Sequence, residues 1–201
     1  MEKAIQQYLE RHGFERFCPK AVLFDMDGVI YDSMPNHSTS WHDSMAAFGL
    51  DMPYEGAYEY EGMRGVETIK TLMEQIKADG LKICVVTGSA QHALLDKLLI
   101  DFDGLLREEL IVTAFDVKHG KPNPEPYLIG MGKCGTEPYE TIVVENAPLG
   151  VQAAAAARCF TIAVNTGPLP DERLAEKGAD IIFPTMTALS DTWKTLHEEW
   201  L

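Results

Sequence analysis

The sequence predicts an α/β fold: a doubly wound, mostly parallel sheet with helices on both faces. Three observations lead there. Short apolar runs alternate with helical stretches along the chain. Several of those runs lack polar alternation, as expected of strands covered on both sides. Three of them finish against Asp25, Thr87 and Glu145, which places polar side chains where such sheets bind ligands.

In chain order, residues 4–12 read as a helix closed by Gly13. Residues 21–24 (Ala-Val-Leu-Phe) are too short for a helix and stop at Asp25, the pattern of a buried strand. Residues 34–48 predict a helix and 54–64 a loop. Val66, Ile69, Met73 and Ile76 keep helical spacing over 66–77. The strand form returns at 82–87, 141–145 and 160–164, with shorter candidates at 111–113 and 180–183. Helices are expected at 91–99, 125–133, 150–158, 172–177 and 187–200. Five consecutive alanines at 153–157 suit a helix pressed closely on the sheet. The sheet is therefore expected to be Rossmann-like, with its site outside the strands' carboxyl ends.

Composition narrows the partners. The chain has 201 residues, 31 Asp+Glu against 17 Lys+Arg and a net charge of −14. That balance argues against nucleic acid and against an anionic membrane surface, both of which attract basic proteins. No apolar run approaches the roughly 20 residues of a membrane span, and no signal region opens the chain, so a cytoplasmic location is expected. Cys18, Cys84, Cys134 and Cys159 show no C-x-x-C spacing and read as free thiols. His37 and His42 lie five apart and no H-E-x-x-H occurs, so zinc chemistry is not expected.

The strand ends carry the chemistry. Asp25-Met26-Asp27-Gly28 sets two carboxylates just past a buried strand, where a cation relieves their repulsion. A hard divalent ion such as Mg²⁺ suits such oxygen donors; an Asp-Gly turn is the other reading. Thr87-Gly88-Ser89 leads into a helix, where backbone N–H groups favour a phosphate or Ser89 merely caps. Lys121 sits on a proline-stiffened loop, Gly120-Lys121-Pro122-Asn123-Pro124, as a fixed counter-charge or a solvated lysine. Glu145-Asn146-Ala147-Pro148 offers oxygen ligands or a simple helix cap.

Taken in order, these elements resemble the haloacid dehalogenase superfamily of phosphatases and phosphomutases, over about residues 20–183. Asp25 to Val29 (D-M-D-G-V) looks like the first motif, Thr87 the second, Lys121 the third and Glu145-Asn146 the fourth. K-P-N-P-E-P-Y and V-V-E-N-A-P-L-G-V-Q-A-A further resemble the subfamily of β-phosphoglucomutase and small sugar-phosphate phosphatases. The resemblance implies Asp25 as nucleophile, Asp27 as acid and base, Thr87 and Lys121 on the transferring phosphoryl group, and Mg²⁺ held by Asp25, Asp27, Glu145 and Asn146. Gly88, Ser89, Arg64 and His37 would contact the substrate, a small phosphorylated metabolite, in a monomer or weak dimer. A phosphatase is expected, with a phosphomutase as the near alternative and a silent sugar-phosphate-binding protein as the distant one.

Two features depart from that family. Asn146 stands where an aspartate is usual, which should weaken metal binding and make Glu145 the charged partner. The helical cap expected between the first two motifs is reduced, which divides the chain into a core (1–33 and 80–201) and a cap remnant (34–79). Trp41, in that remnant, reads as packing.

Overall fold

A computed structural model describes residues 2–31 and 65–200. Six strands form one sheet: β1 (Ala21–Phe24), β2 (Lys82–Val86), β3 (Ile111–Val112), β4 (Thr141–Glu145), β5 (Phe160–Val164) and β6 (Ile181–Phe183). Their spatial order is 3-2-1-4-5-6 and every pairing is parallel. The α-helices among the described residues are α1 (Glu2–His12), α2 (Gly65–Ala78), α3 (His92–Asp101), α4 (Glu125–Cys134), α5 (Pro148–Ala156), α6 (Asp171–Ala175) and α7 (Met186–Glu198).

Alternation along each strand sorts the core into two layers. Val22, Phe24, Ile83, Val85, Ile142 and Val144 pack with Ile69, Leu72, Met73 and Ile76 of α2 and with Leu189 and Trp193 of α7. Leu23, Cys84, Val86 and Val143 pack with Tyr127 and Met131 of α4 and Ala153 and Ala154 of α5. With both faces covered, the strands need no solvent side, and so they read as continuous apolar runs. The four cysteines are free thiols, three of them buried.

Most expected boundaries shift by a residue or two, and two of the shifts have a physical reason. The helix expected over 150–158 begins at Pro148 and ends at Ala156. Proline suits a first helical turn because its missing N–H has no partner to lose there. At the other end, Arg158 takes a left-handed φ of 64°, and its carbonyl accepts the Tyr8 hydroxyl at 2.9 Å. The helix stops there and α1 docks onto the turn. The second shift concerns the cap remnant: residues 34–64 lie outside the described residues, while α2 belongs to the same apolar layer as the sheet. By packing, 65–78 is core.

From β1 the chain leads to β2 on one side of the sheet, while β4 lies on the other. The strand order therefore reverses between β1 and β4, and a crevice opens at their carboxyl ends. Among the described residues, no helix is long and apolar enough to cross a membrane.

Candidate active site

Sheet register alone gathers the rim. Phe24 pairs with Val85 and Val144, so Asp25, Thr87 and Glu145 leave three neighbouring strands at one end. The Asp25 N–H donates to Val144 O at 2.9 Å, and the Thr87 N–H to Val112 O at 2.9 Å. Asp25 and Glu145 are buried and Asp27 is half-buried.

Lys121 reaches this rim from the loop before α4. Its ammonium forms an ion pair with Asp25 Oδ1 and another with Glu145 Oε1 at 2.6 Å, and donates to Val86 O at 3.3 Å. The loop is tied from behind by Glu125, whose carboxylate accepts the Lys118 and His119 N–H groups at 2.8 and 3.0 Å. Burial raises the Asp25 carboxyl to about 7, with Glu145 and Asp27 adding to the rise and Lys121 opposing it. Burial works against the Lys121 charge, but Asp25 and Glu145 outweigh it and hold the ammonium above its ordinary range. The lysine is thus locked in its charged form.

Glu145 is saturated. Its Oε1 accepts Lys121 and the Tyr127 hydroxyl at 2.7 Å, and its Oε2 accepts the Asn146 and Ala147 N–H groups at 2.9 and 3.1 Å. A carboxylate has about four lone-pair positions, and all are engaged. To ligate a metal directly, as the sequence led us to expect, Glu145 would first have to release a donor. Gly150 is fitted to it, since a Cβ there would lie 1.7 Å from Oε1.

Asn146 is arranged the opposite way. Its Nδ2 donates to Thr166 Oγ1 at 3.1 Å, while its Oδ1 is buried without a hydrogen-bond partner. Gly28 makes room for it: φ is +80°, and a Cβ would lie 1.9 Å from Nδ2. The glycine of the D-M-D-G turn is therefore required twice over. Among the described residues no three His, Cys, Asp or Glu side chains are grouped to hold a metal. The Asp25 carboxylate and the orphaned Asn146 amide oxygen do fit Mg²⁺, which binds through one or two carboxylates together with substrate phosphates and water.

Thr87 Oγ1 accepts the Ser89 N–H at 2.9 Å, and Ser89 Oγ the Gln91 N–H at 3.2 Å. These bonds form a turn one step ahead of α3, whose N-cap is Gln91 and not Ser89. Thr87, Gly88, Lys118, Gly120 and Lys121 line a cleft of about 220 Å³. His37 and Arg64 lie outside the described residues. Sequence reasoning passed over Tyr127, Glu125 and Thr166. The first two stand inside K-P-N-P-E-P-Y, and Thr166 follows β5, a strand end that called for the same reading as the other three.

The fold and this rim define an α/β enzyme with an acidic, lysine-bridged centre. The chain belongs to the haloacid dehalogenase-like hydrolase family, whose profile matches residues 54–164. It is 29% identical to hexitol phosphatase A of Escherichia coli, over 86% of this chain and 94% of that protein. That share, about 173 of the 201 residues, is spread over 208 aligned positions, so the relative carries stretches this chain lacks. Glycerol-1-phosphate phosphohydrolase 2 of Saccharomyces cerevisiae is 30% identical over 81% of this chain and 80% of its own. Among solved structures, a candidate beta-phosphoglucomutase from Bacteroides vulgatus superposes with a TM-score of 0.85 at 43% identity, covering 99% of this chain and 97% of that one.

Proposed function

We propose that this enzyme hydrolyses a small phosphate monoester, a sugar or polyol phosphate, through a phosphoryl group carried on Asp25. The observation that carries the reading is the Lys121 ammonium bridging Asp25 and Glu145 at the rim, a positive charge fixed beside a buried carboxylate. The relatives named as phosphatases support this substrate class.

In this reading Asp25 attacks phosphorus, and the bond to the leaving oxygen breaks as Asp27 gives that oxygen a proton. Asp27 then takes a proton from water as it attacks the phospho-Asp25 phosphorus, freeing inorganic phosphate. Thr87 donates its hydroxyl proton to a phosphoryl oxygen, because the bond it makes to the Ser89 N–H uses only a lone pair. Lys121 offsets charge on the transferring group in a site already organised around it. Gly88 lines the cleft, and Ser89 follows it in the turn held by Thr87; both would meet the substrate. Asp25 and Asn146 would hold Mg²⁺, which when bound supplies positive charge to the phosphoryl oxygens and to Asp25, and the Asp27 carboxyl is kept for the proton. Glu145 serves as the anchor of Lys121.

A phosphomutase is the second reading, favoured by the likeness to the Bacteroides vulgatus structure. A mutase must keep water from the phospho-enzyme while its intermediate turns around, which demands a competent lid. Turnover of p-nitrophenyl phosphate with Mg²⁺ tests the main reading. Wild type should release phosphate, and EDTA or Asp25→Asn should stop it. Equal inactivity of wild type and Asp25→Asn at high Mg²⁺ would favour a binding protein instead. Glucose 6-phosphate accumulating from β-glucose 1-phosphate would favour the mutase.

A further inference from the structure

We infer that Thr166 is a positioning residue: it fixes which end of the Asn146 amide is offered to a cation. The inference rests on the reading of Asn146 as a metal ligand. An amide presents a donor end and an acceptor end of nearly the same shape, so its packing alone does not choose between them. Its partner does. Thr166 lies just past β5, anchored by its own N–H to Val164 O at 2.9 Å. Its hydroxyl has one proton, and that proton goes to Gly28 O at 2.8 Å. Toward Asn146 the same oxygen therefore shows only lone pairs, and it takes the Nδ2–H at 3.1 Å. The flipped amide would set Oδ1 against those lone pairs. Orientation follows: Nδ2 is committed to Thr166, and Oδ1 remains the buried acceptor with no hydrogen-bond partner.

Gly28 closes the arrangement, since its carbonyl takes the Thr166 proton and its missing Cβ leaves the space Nδ2 occupies. Thr166 thus joins the loop after β1 to the loop after β4, and it suits asparagine rather than aspartate at position 146. In an Asn146→Asp variant the hydroxyl must either face a carboxylate oxygen with lone pairs or turn its proton away from Gly28 O.

Manganese binding by calorimetry, with Mn²⁺ as the probe, separates this role from simple packing. Thr166→Val should weaken Mn²⁺ about 10-fold, the scale on which residues behind metal ligands act. Thr166→Ser keeps both hydrogen bonds and should bind within about twofold of wild type. Placed on Asn146→Ala, Thr166→Val should cost nothing more. Thr166→Ala, which adds no bulk, should repeat the loss if the valine variant folds poorly. Wild-type affinity in both Thr166→Val and Thr166→Ala, or an undiminished further loss on the Asn146→Ala background, would overturn the inference. Wild-type affinity in Asn146→Ala itself would remove the ligand assignment beneath it, a separate failure read from a separate variant.

Discussion

Glu145 and Asn146 are adjacent in the chain, yet the rim uses them in opposite ways. Every lone pair of Glu145 is met by a lysine, a tyrosine or a backbone N–H. Asn146 commits its nitrogen and leaves its buried oxygen without a partner. A buried acceptor with no partner costs about 1–3 kcal/mol, and a ligand that supplies the partner recovers it. The difference teaches a division of labour. Charge in this site is spent on holding Lys121 in place, and the neutral amide is kept open.

Substitutions can break or sharpen that contrast. The largest effect should come from the group both halves serve. Asp25→Asn should lower kcat by about 1,000-fold or more while the protein stays folded by circular dichroism. Lys121→Met comes next, since it leaves two buried carboxylates without their cation. It should destabilise by about 3–5 kcal/mol in urea unfolding and lower the rate by about 100-fold.

The decisive pair is Asn146→Ala against Glu145→Gln. The alanine should weaken Mn²⁺ about 10-fold with under about 1 kcal/mol lost in stability. The glutamine sets an NH₂ group against Lys121 or against the backbone donors. It should lose about 2 kcal/mol of stability while Mn²⁺ affinity stays within about threefold. Reversed outcomes would make Glu145 the ligand and collapse the contrast. Asn146→Asp should lower the Mg²⁺ needed for half-maximal rate, an effect limited because the Thr166 hydroxyl must either face a carboxylate oxygen with lone pairs or turn its proton away from Gly28 O. Tyr127→Phe should be smallest, about 1 kcal/mol for one hydrogen bond to Glu145, read from the urea midpoint.

Much of this was legible in the sequence because strand burial leaves a strong trace. The runs at 21–24, 82–86, 141–145 and 160–164 are apolar on both faces, so strand identity and the parallel sheet followed from pattern alone. Asp25, Thr87 and Glu145 were readable for the same reason, as polar residues where such runs stop. Helix ends were less so. Nothing local to Arg158 announces its left-handed turn, whose carbonyl accepts a hydrogen bond from Tyr8, far away in the chain. Glu145 shows the deeper limit. Its residue type is compatible with either a metal ligand or an anchor, and only the three-dimensional meeting with Tyr127, Lys121 and two N–H groups decides how its lone pairs are used. Thr166 was missed because its role lies in one hydroxyl that donates to Gly28 O and accepts from Asn146 Nδ2, on loops separated by more than a hundred residues.

The central claim is that Asp25 carries the phosphoryl group. Acid-quenched single turnover with a ³²P-labelled sugar phosphate, followed by peptide mapping, tests it directly. Label should appear transiently on the peptide holding Asp25 and be absent from Asp25→Asn. Phosphate release with no labelled peptide, or label on another residue, would contradict it.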